Sequence, residues 1–306
     1  MRQDAGMEQD AGMEQKPPAT GTRLRVHARC VDCGRETGSA ADEPVVLASV
    51  VKVLLVLEFA RQMAAGQLDG TERVVVPSAA RLGGTGTAGC LDDVRMSLRD
   101  LAGFALSVSD NAAADVLFDR VGVDTVGLLA AELGLHRTRV VASPSTLLAD
   151  MLEDVGAGDL AEFAAVYPTL APERLRAMRI RDPLRTNGST ARDMTRLLTL
   201  VWTDRAGPPE ACARLRRLMA HQVNWHRLAA AFPEEVAVAA KSGTLPGVRN
   251  EIGVVRYPDG GRYAVAVFLE TPALGERRAD LDRLIGATGH TAVTALRGCC
   301  GAAAAD

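Results

Sequence analysis

Three short polar clusters in this chain hold residue types that could carry chemistry, the first of them a serine that a neutral amine could turn into a nucleophile. The first lies in VVLASVVKVLLVLEFARQ, residues 45 to 62, which is apolar almost all the way round except at Lys52. A helix apolar on every face belongs in a core, and an ammonium there is costly unless it is paired or gives up its proton. Ser49 stands three residues before Lys52. Positions i and i+3 share a helix face, so hydroxyl and amine can meet, and a desolvated neutral amine can take a proton from a serine. The plainer alternative is a lysine that snorkels to the surface at the helix edge. The second cluster, Ser109-Asp110-Asn111, falls at a break between two helical stretches, a common place for a helix N-cap. The third, Lys241-Ser242-Gly243-Thr244, ends the strand-like run VAVAA and also reads as a simple strand terminus.

The elements that must hold these clusters follow from periodicity. RLRVHARCVD and the region near PVVLA read as strands leading into a helix that begins at Ser49 and stops near Gly66 and Gly70. A Gly/Thr-rich loop, RLGGTGTAGCLDD, precedes a long helical middle: MSLRDLAGFALSVSDNAAADVLFDRVG, VDTVGLLAAELGL, SPSTLLADMLEDV, DLAEFAAVY, STARDMTRLLTLVW and PEACARLRRLMAHQ. Three strands follow, EEVAVAAKSGT, RNEIGVVRYP and GRYAVAVFLETP, with a DGG hairpin turn between the last two, and then a terminal helix. Strands at both ends can pair into one sheet. The expected fold is therefore α/β plus all-α, an antiparallel sheet flanked by helices with an inserted helical domain. Residues 23–68 and 232–297 would form the discontinuous sheet domain and 69–231 the helical one, with the ligand site in the cleft between them. Residues 1–22 read as a disordered polar tail and 298–306 as a second tail.

Composition removes several function classes. The hydrophobic fraction of 47%, charged fraction of 24% and net charge of −3 are those of an ordinary globular protein. They point to no nucleic-acid or membrane partner, and 4% aromatics provide no base-stacking platform. The N-terminus, MRQDAGMEQDAGMEQKPPATGT, has no basic start followed by an apolar stretch; with no such export signal the expected location is the cytoplasm. Cys30 and Cys33, in CVDC, have the spacing of zinc and redox sites, but a zinc site needs further ligands. Cys299 and Cys300 sit in an Ala/Gly tail without neighbouring histidines. The stretch also reads as a strand, a turn at Asp32–Gly34 and a second strand, so neither a metal nor an organic cofactor is expected.

S-x-x-K, S-D-N and K-T-G in this order form the signature set of class A β-lactamases and penicillin-binding proteins. The chain resembles that serine β-lactamase and DD-peptidase superfamily, and the class A branch most, over roughly residues 23–297. Both MSLRDLAGFALSVSDNAAADVL and KSGTLPGVRNEIGVVRYPDGGRYAVAVFLET are similar to class A sequence along their length. Serine at 242 in place of threonine keeps the hydroxyl. The resemblance implies that Ser49 attacks a carbonyl to give an acyl-enzyme, that Lys52 helps deprotonate it, and that Ser109 relays the proton to the leaving nitrogen. It implies that Asn111 bonds a substrate amide, that Lys241 supplies positive charge, and that Ser242, Thr244 and Arg249 hold a substrate carboxylate. Backbone N–H groups of Ser49 and Thr244 would form the oxyanion hole, and Asp110 would be structural. The partner is then a small molecule bearing a carboxylate and an acyl group.

The chain also departs from that pattern. The class A glutamate that activates the deacylating water should fall in ASPST, which has no carboxylate. An enlarged insertion, about residues 143–185, follows and carries Glu153, Asp154, Asp159, Glu162, Glu173 and Asp182, each a possible substitute or a solvated charge. Trp225 or His226, in NWHR, can shape the cleft entrance. Three functions fit: a hydrolase acting on a β-lactam or related amide or ester, a biosynthetic amidase, esterase or transacylase for another acyl group, and a penicillin-binding protein that deacylates slowly or stays modified.

Overall fold

The computed structural model describes residues 21–78, 84–272, 274, 277–298 and 300; of the expected tails at residues 1–22 and 298–306, all but residues 21, 22, 298 and 300 lie outside them, Cys299 included. In chain order the first elements are β1 (Arg23–Cys30), β2 (Glu36–Ser39), β3 (Val45–Val46), a 3-10 turn (Ala48–Val51) and α1 (Lys52–Ala64). The middle holds β4 (Arg73–Val76), β5 (Val94–Ser97), α2 (Leu98–Ser107), α3 (Asn111–Val121), α4 (Val123–Glu132), α5 (Pro144–Val155), α6 (Leu160–Val166) and α7 (Pro172–Ala177). Then come β6 (Gly188–Ser189), α8 (Ala191–Trp202), α9 (Pro209–Ala220), β7 (Ala237–Leu245), β8 (Val248–Arg256), β9 (Arg262–Glu270) and α10 (Ala279–Thr294).

The two ends of the chain share one five-stranded sheet of order β2-β1-β9-β8-β7. The first long strand pairs antiparallel with the last, from Arg23 opposite Glu270 to Cys30 opposite Tyr263. Both faces of this sheet are covered, which explains why β9 reads as a continuous apolar run. Ala264, Ala266 and Phe268 face the cluster that contains α1 and α8. The alternate residues Tyr263, Val265, Val267 and Leu269 face Leu281, Ile285 and Val293 of α10.

Helix α1 is the hub of the larger cluster: Val53, Leu54, Leu55, Val56, Leu57 and Phe59 are all fully buried, each contributing about 1.5–3 kcal/mol by leaving water. Its neighbours show ordinary amphipathic logic. Met194, Leu197, Leu198 and Val201 turn one stripe of α8 inward, and Thr190 caps that helix by accepting from the Asp193 N–H at 3.1 Å.

Three local readings differ from expectation. Val45–Val46 pairs with β6 rather than with the main sheet, because Leu47 N donates to Asn187 O at 2.9 Å and fastens this segment there. Beyond α1, the β-branched run in β4 pairs with β5 as a two-stranded ribbon inside the otherwise helical middle. The α-helix begins at Lys52, not Ser49: Ala48 enters at φ +49°, and Val50 N closes a tight three-residue bond to Leu47 O at 3.2 Å.

The insertion has its own small core, in which Val155, Leu175, Met178 and Ile180 are buried and Phe163 stacks on Tyr167 with ring centres 5.0 Å apart. Arg179 ties it together by donating to Asp150 at 2.9 Å, Glu153 at 2.7 Å and Asp154 at 2.7 Å. Among the described residues, no helix is long and apolar enough to cross a membrane.

Candidate active site

Ser49 sits on the 3-10 turn where the chain swings from β3 into α1. Asn250, buried on β8, donates from Nδ2 to Val46 O at 2.8 Å and Leu47 O at 3.3 Å, which fixes the approach to that turn. Strand β7 passes directly alongside. A Cβ on Gly243 would stand 2.7 Å from Leu47 O, so only glycine lets the third cluster come this close to the serine.

Lys52 answers the question its position raises: it does not snorkel. It is 1% exposed and donates to Ser109 O at 2.6 Å, Asn111 Oδ1 at 2.7 Å and Asp110 O at 3.3 Å, with Ser109 Oγ at 3.5 Å. Burial lowers its pKa to about 7, partly opposed by the negative charges of Asp110 and Asp115. An amine balanced between its two forms near neutral pH can both accept and return a proton. Its hydrogen bonds reach the second cluster, and none joins it to Ser49 Oγ in this state.

The Ser109-Asp110-Asn111 turn is held by Asp110. Its carboxylate caps α3 by accepting from Ala113 N at 3.1 Å and also accepts from Thr87 N at 2.7 Å and Thr87 Oγ1 at 3.2 Å. It is fully buried and occupies the room a Cβ on Gly86 would need, at 2.4 Å. These contacts give Asp110 the structural part expected of it. Ser109 takes φ +63°, a left-handed conformation that costs a serine about 1 kcal/mol. The strained residue thus presents both its carbonyl and its hydroxyl to Lys52.

Strand β7 is the sheet edge, and its cluster is packed from behind. Ser242 N points outward to Gln222 Oε1 at 2.6 Å; by strand alternation the Thr244 N–H, two residues on, points to the same open side. Lys241 is fully buried. Its Nζ donates to Ser242 O at 2.8 Å, and burial together with the charge of Lys52 holds its pKa well below the ordinary lysine value. Behind it Glu251 accepts from Gln222 Nε2 at 2.8 Å and Leu228 N at 2.6 Å, with a pKa pushed up by burial to about 7.

The guanidinium at Thr244 is Arg227. Its Nη2 donates to Thr244 Oγ1 at 2.7 Å, and its other nitrogens reach Asn250 O at 2.7 Å and Asp282 Oδ1 at 2.8 Å. Arg249 instead spends Nη1 on Asp282, at 2.9 and 3.1 Å. Within NWHR, Trp225 is 71% exposed and the His226 side chain is likewise open to solvent, while Arg227 is the residue that reaches Thr244.

One cavity gathers the three clusters, since Ser49, Lys52, Asn111 and Thr244 all line it. Asn187 closes one side, accepting from Val141 N at 2.8 Å and Ala142 N at 3.1 Å and donating to Ala142 O at 2.8 Å. Pro144, Leu147, Leu148 and Met151 of α5, with Ile180 and Leu245, make the remaining wall apolar. The carboxylates of the insertion are engaged elsewhere. Glu153 and Asp154 bind Arg179, Asp159 caps α6, Glu162 accepts from Gly158 N, Glu173 pairs with Arg176 and Asp182 accepts from Leu184 N.

The acid that sequence reasoning missed is Asp115, one helical turn beyond Asn111. It accepts from Ser145 N at 3.0 Å and Ser145 Oγ at 2.9 Å, its other oxygen is buried without a partner, and burial raises its pKa. The i, i+4 spacing from Asn111 on α3 was the available signal.

Comparison with known proteins identifies the family and the fold. A family model described as the beta-lactamase enzyme family matches residues 17–296. The Beta-lactamase regulatory protein BlaB of Streptomyces cacaoi is 32% identical over 268 residues, covering 82% of this chain and 86% of that protein. The crystal structure of a β-lactamase from Sphaerobacter thermophilus superposes with a TM-score of 0.72 at 25% identity, over 90% of this chain and 92% of the other. A class A β-lactamase from Mycobacterium abscessus has the same fold at TM-score 0.72 and 19% identity, over 90% and 94%. With the family match running through nearly all of its length, the chain belongs to the beta-lactamase enzyme family.

Proposed function

We propose that this protein forms a covalent acyl-enzyme at Ser49 with a β-lactam or a related amide or ester, and that it releases the acyl group slowly. The observation that supports this most is the single cavity lined by Ser49, Lys52, Asn111 and Thr244. In the reaction, the neutral amine of Lys52 takes the Ser49 proton as Oγ bonds to the carbonyl carbon. The N–H groups of Ser49 and Thr244 receive the developing oxyanion, where the loss of one donor costs about 3–4 kcal/mol. Ser109 Oγ, 3.5 Å from Lys52 Nζ, passes the proton to the departing nitrogen as the C–N bond breaks, leaving an ester on Ser49. The substrate carboxylate binds at the Ser242 and Thr244 hydroxyls, with the Arg227 guanidinium behind them. Arg249, expected at the same carboxylate, donates to Asp282, which it shares with Arg227.

Slow release follows from the wall opposite. Hydrolysis of the ester needs a base on a water beside it, and the α5 face of the cavity is Pro144, Leu147, Leu148 and Met151. A second reading, a protein acylated once and read out as a signal, draws on the same wall and on the relative whose name is Beta-lactamase regulatory protein. Intact-mass spectrometry after exposure to a penicillin, a cephalosporin and a D-alanyl thioester tests both. An adduct on the wild type and none on Ser49→Ala is expected. Absence of any adduct sinks the proposal, and an adduct that never discharges favours the signalling reading over slow turnover.

A further inference from the structure

The far end of the sheet carries a second cluster of reactive side chains. β1 finishes at Cys30, and the chain turns through Val31, Asp32 and Cys33 before β2. Two backbone bonds close this turn, from Cys30 N to Arg35 O at 2.8 Å and from Gly34 N to Cys30 O at 3.0 Å. Gly34 adopts φ +77°, and this left-handed step straight after Cys33 folds the second cysteine back over the first. Helix α10 runs along β9 and β1, so the chain beyond it returns to the same corner. Arg297 pins that segment by donating to Asp259 Oδ2 at 2.6 Å and stacking 3.8 Å over the Tyr257 ring. Cys300 then arrives with its sulfur 3.4 Å from that of Cys30, and the sulfurs of Cys30, Cys33 and Cys300 all lie within 4.8 Å of one another.

We infer that Cys30, Cys33 and Cys300 bind a Zn²⁺ ion that fastens the C-terminal segment to the first hairpin. Zinc bonds thiolate sulfur at about 2.3 Å in a tetrahedron, which sets sulfur–sulfur edges of about 3.8 Å, and three sulfurs all within 4.8 Å of one another need only small side-chain adjustments to reach it. A C-x2-C turn plus a sequence-distant cysteine is the ligand grammar of structural zinc. A disulfide would use two of the three sulfurs, whereas a thiophilic tetrahedral cation uses all three, with a fourth ligand completing the tetrahedron. Arg262 is bonded to Asp32 within the turn, and an Arg29 nitrogen lies 3.2 Å from where a Cβ on Gly34 would stand, so two guanidinium groups flank the cluster. The site lies near the β8–β9 turn and three strands from β7, so it acts on the fold and not on Ser49.

The test uses the full chain, expressed with zinc and purified under reducing conditions, with elemental analysis for bound metal and Co²⁺ substitution read by absorption. About one zinc per chain and the charge-transfer and ligand-field bands of tetrahedral cobalt thiolate are expected. Cys30 is buried, so the variants are the exposed Cys33→Ser and Cys300→Ser, each expected to weaken metal affinity at least 10-fold, while Cys90→Ser binds normally. Three results would overturn the inference: no bound metal, cobalt bands that survive both variants, or a Cys30–Cys300 disulfide in peptide maps of zinc-replete protein. Acylation of Ser49 reports separately on the catalytic cleft, so either reading can fail alone.

Discussion

The acylation rate should follow the proton on Lys52. With its pKa lowered to about 7 by burial, the amine is neutral in about 1% of molecules at pH 5, about half at pH 7 and about 99% at pH 9. If the neutral form is the base, the rate rises about 50-fold from pH 5 to 7 and only about twofold from there to pH 9. A lysine with its ordinary pKa would still gain about tenfold per unit at pH 9. Asp115→Asn removes a charge that favours the protonated amine, so the midpoint moves to lower pH in that variant. Glu251 also titrates at about 7, and Glu251→Gln serves to separate the two: the midpoint should stay in place without it. The assay is stopped-flow acylation by a chromogenic cephalosporin across this range, with Ser49→Ala as the blank. A flat profile, a slope that continues through pH 9, or a midpoint that vanishes with Glu251 would refute the assignment to Lys52.

Other consequences can be checked with single substitutions. Pro144→Glu places a carboxylate on the cavity wall at the first position of α5, where the helix dipole tolerates it; deacylation in a discharge assay should speed up at least 10-fold, and unchanged release would mean that this wall does not limit hydrolysis. Gly243→Ala forces a Cβ to 2.7 Å from Leu47 O, so β7 retreats from the serine turn and acylation falls about 100-fold, while circular dichroism stays native. Asp110→Ala uncaps α3 and leaves Thr87 N unbonded, costing about 2–4 kcal/mol and lowering the melting temperature by roughly 5–15 °C. Arg227→Lys keeps the charge but loses the fork that spans Thr244, Asn250 and Asp282; the cephalosporin concentration for half-maximal acylation should rise about 10-fold with a similar limiting rate.

Much of the framework was legible because it rests on periodicity and on rare residue combinations. The all-round apolar α1, the striped α8 and the DGG turn between β8 and β9 all announce themselves within a dozen residues. Pairing of the first strand with the last follows from strand runs at both ends. What escaped depends on long-range meetings. The two-residue β3 is fastened by Asn187, about 140 residues away, and no local pattern encodes that. Arg227 and Arg249 lie close in sequence and share Asp282, so only the fold decides which of them reaches Thr244. Asp115 looks like one more charge on α3 until Ser145 covers it. Cys300 gains meaning only once α10 has brought it back to the CVDC turn.

The pairing of β1 with β9 also constrains how the protein is made. Arg23 finds its partner at Glu270, so at 5–20 residues per second the nascent strand waits on the order of 10–50 s for its neighbour. During that interval the apolar face of β1 and one of its hydrogen-bonding edges stay open, the condition under which chains join the wrong partner. Contacts of such long sequence separation also slow folding relative to a chain held by local ones. A rearrangement of the gene that joined β9 directly to β1 would turn this long-range contact into a hairpin and speed assembly.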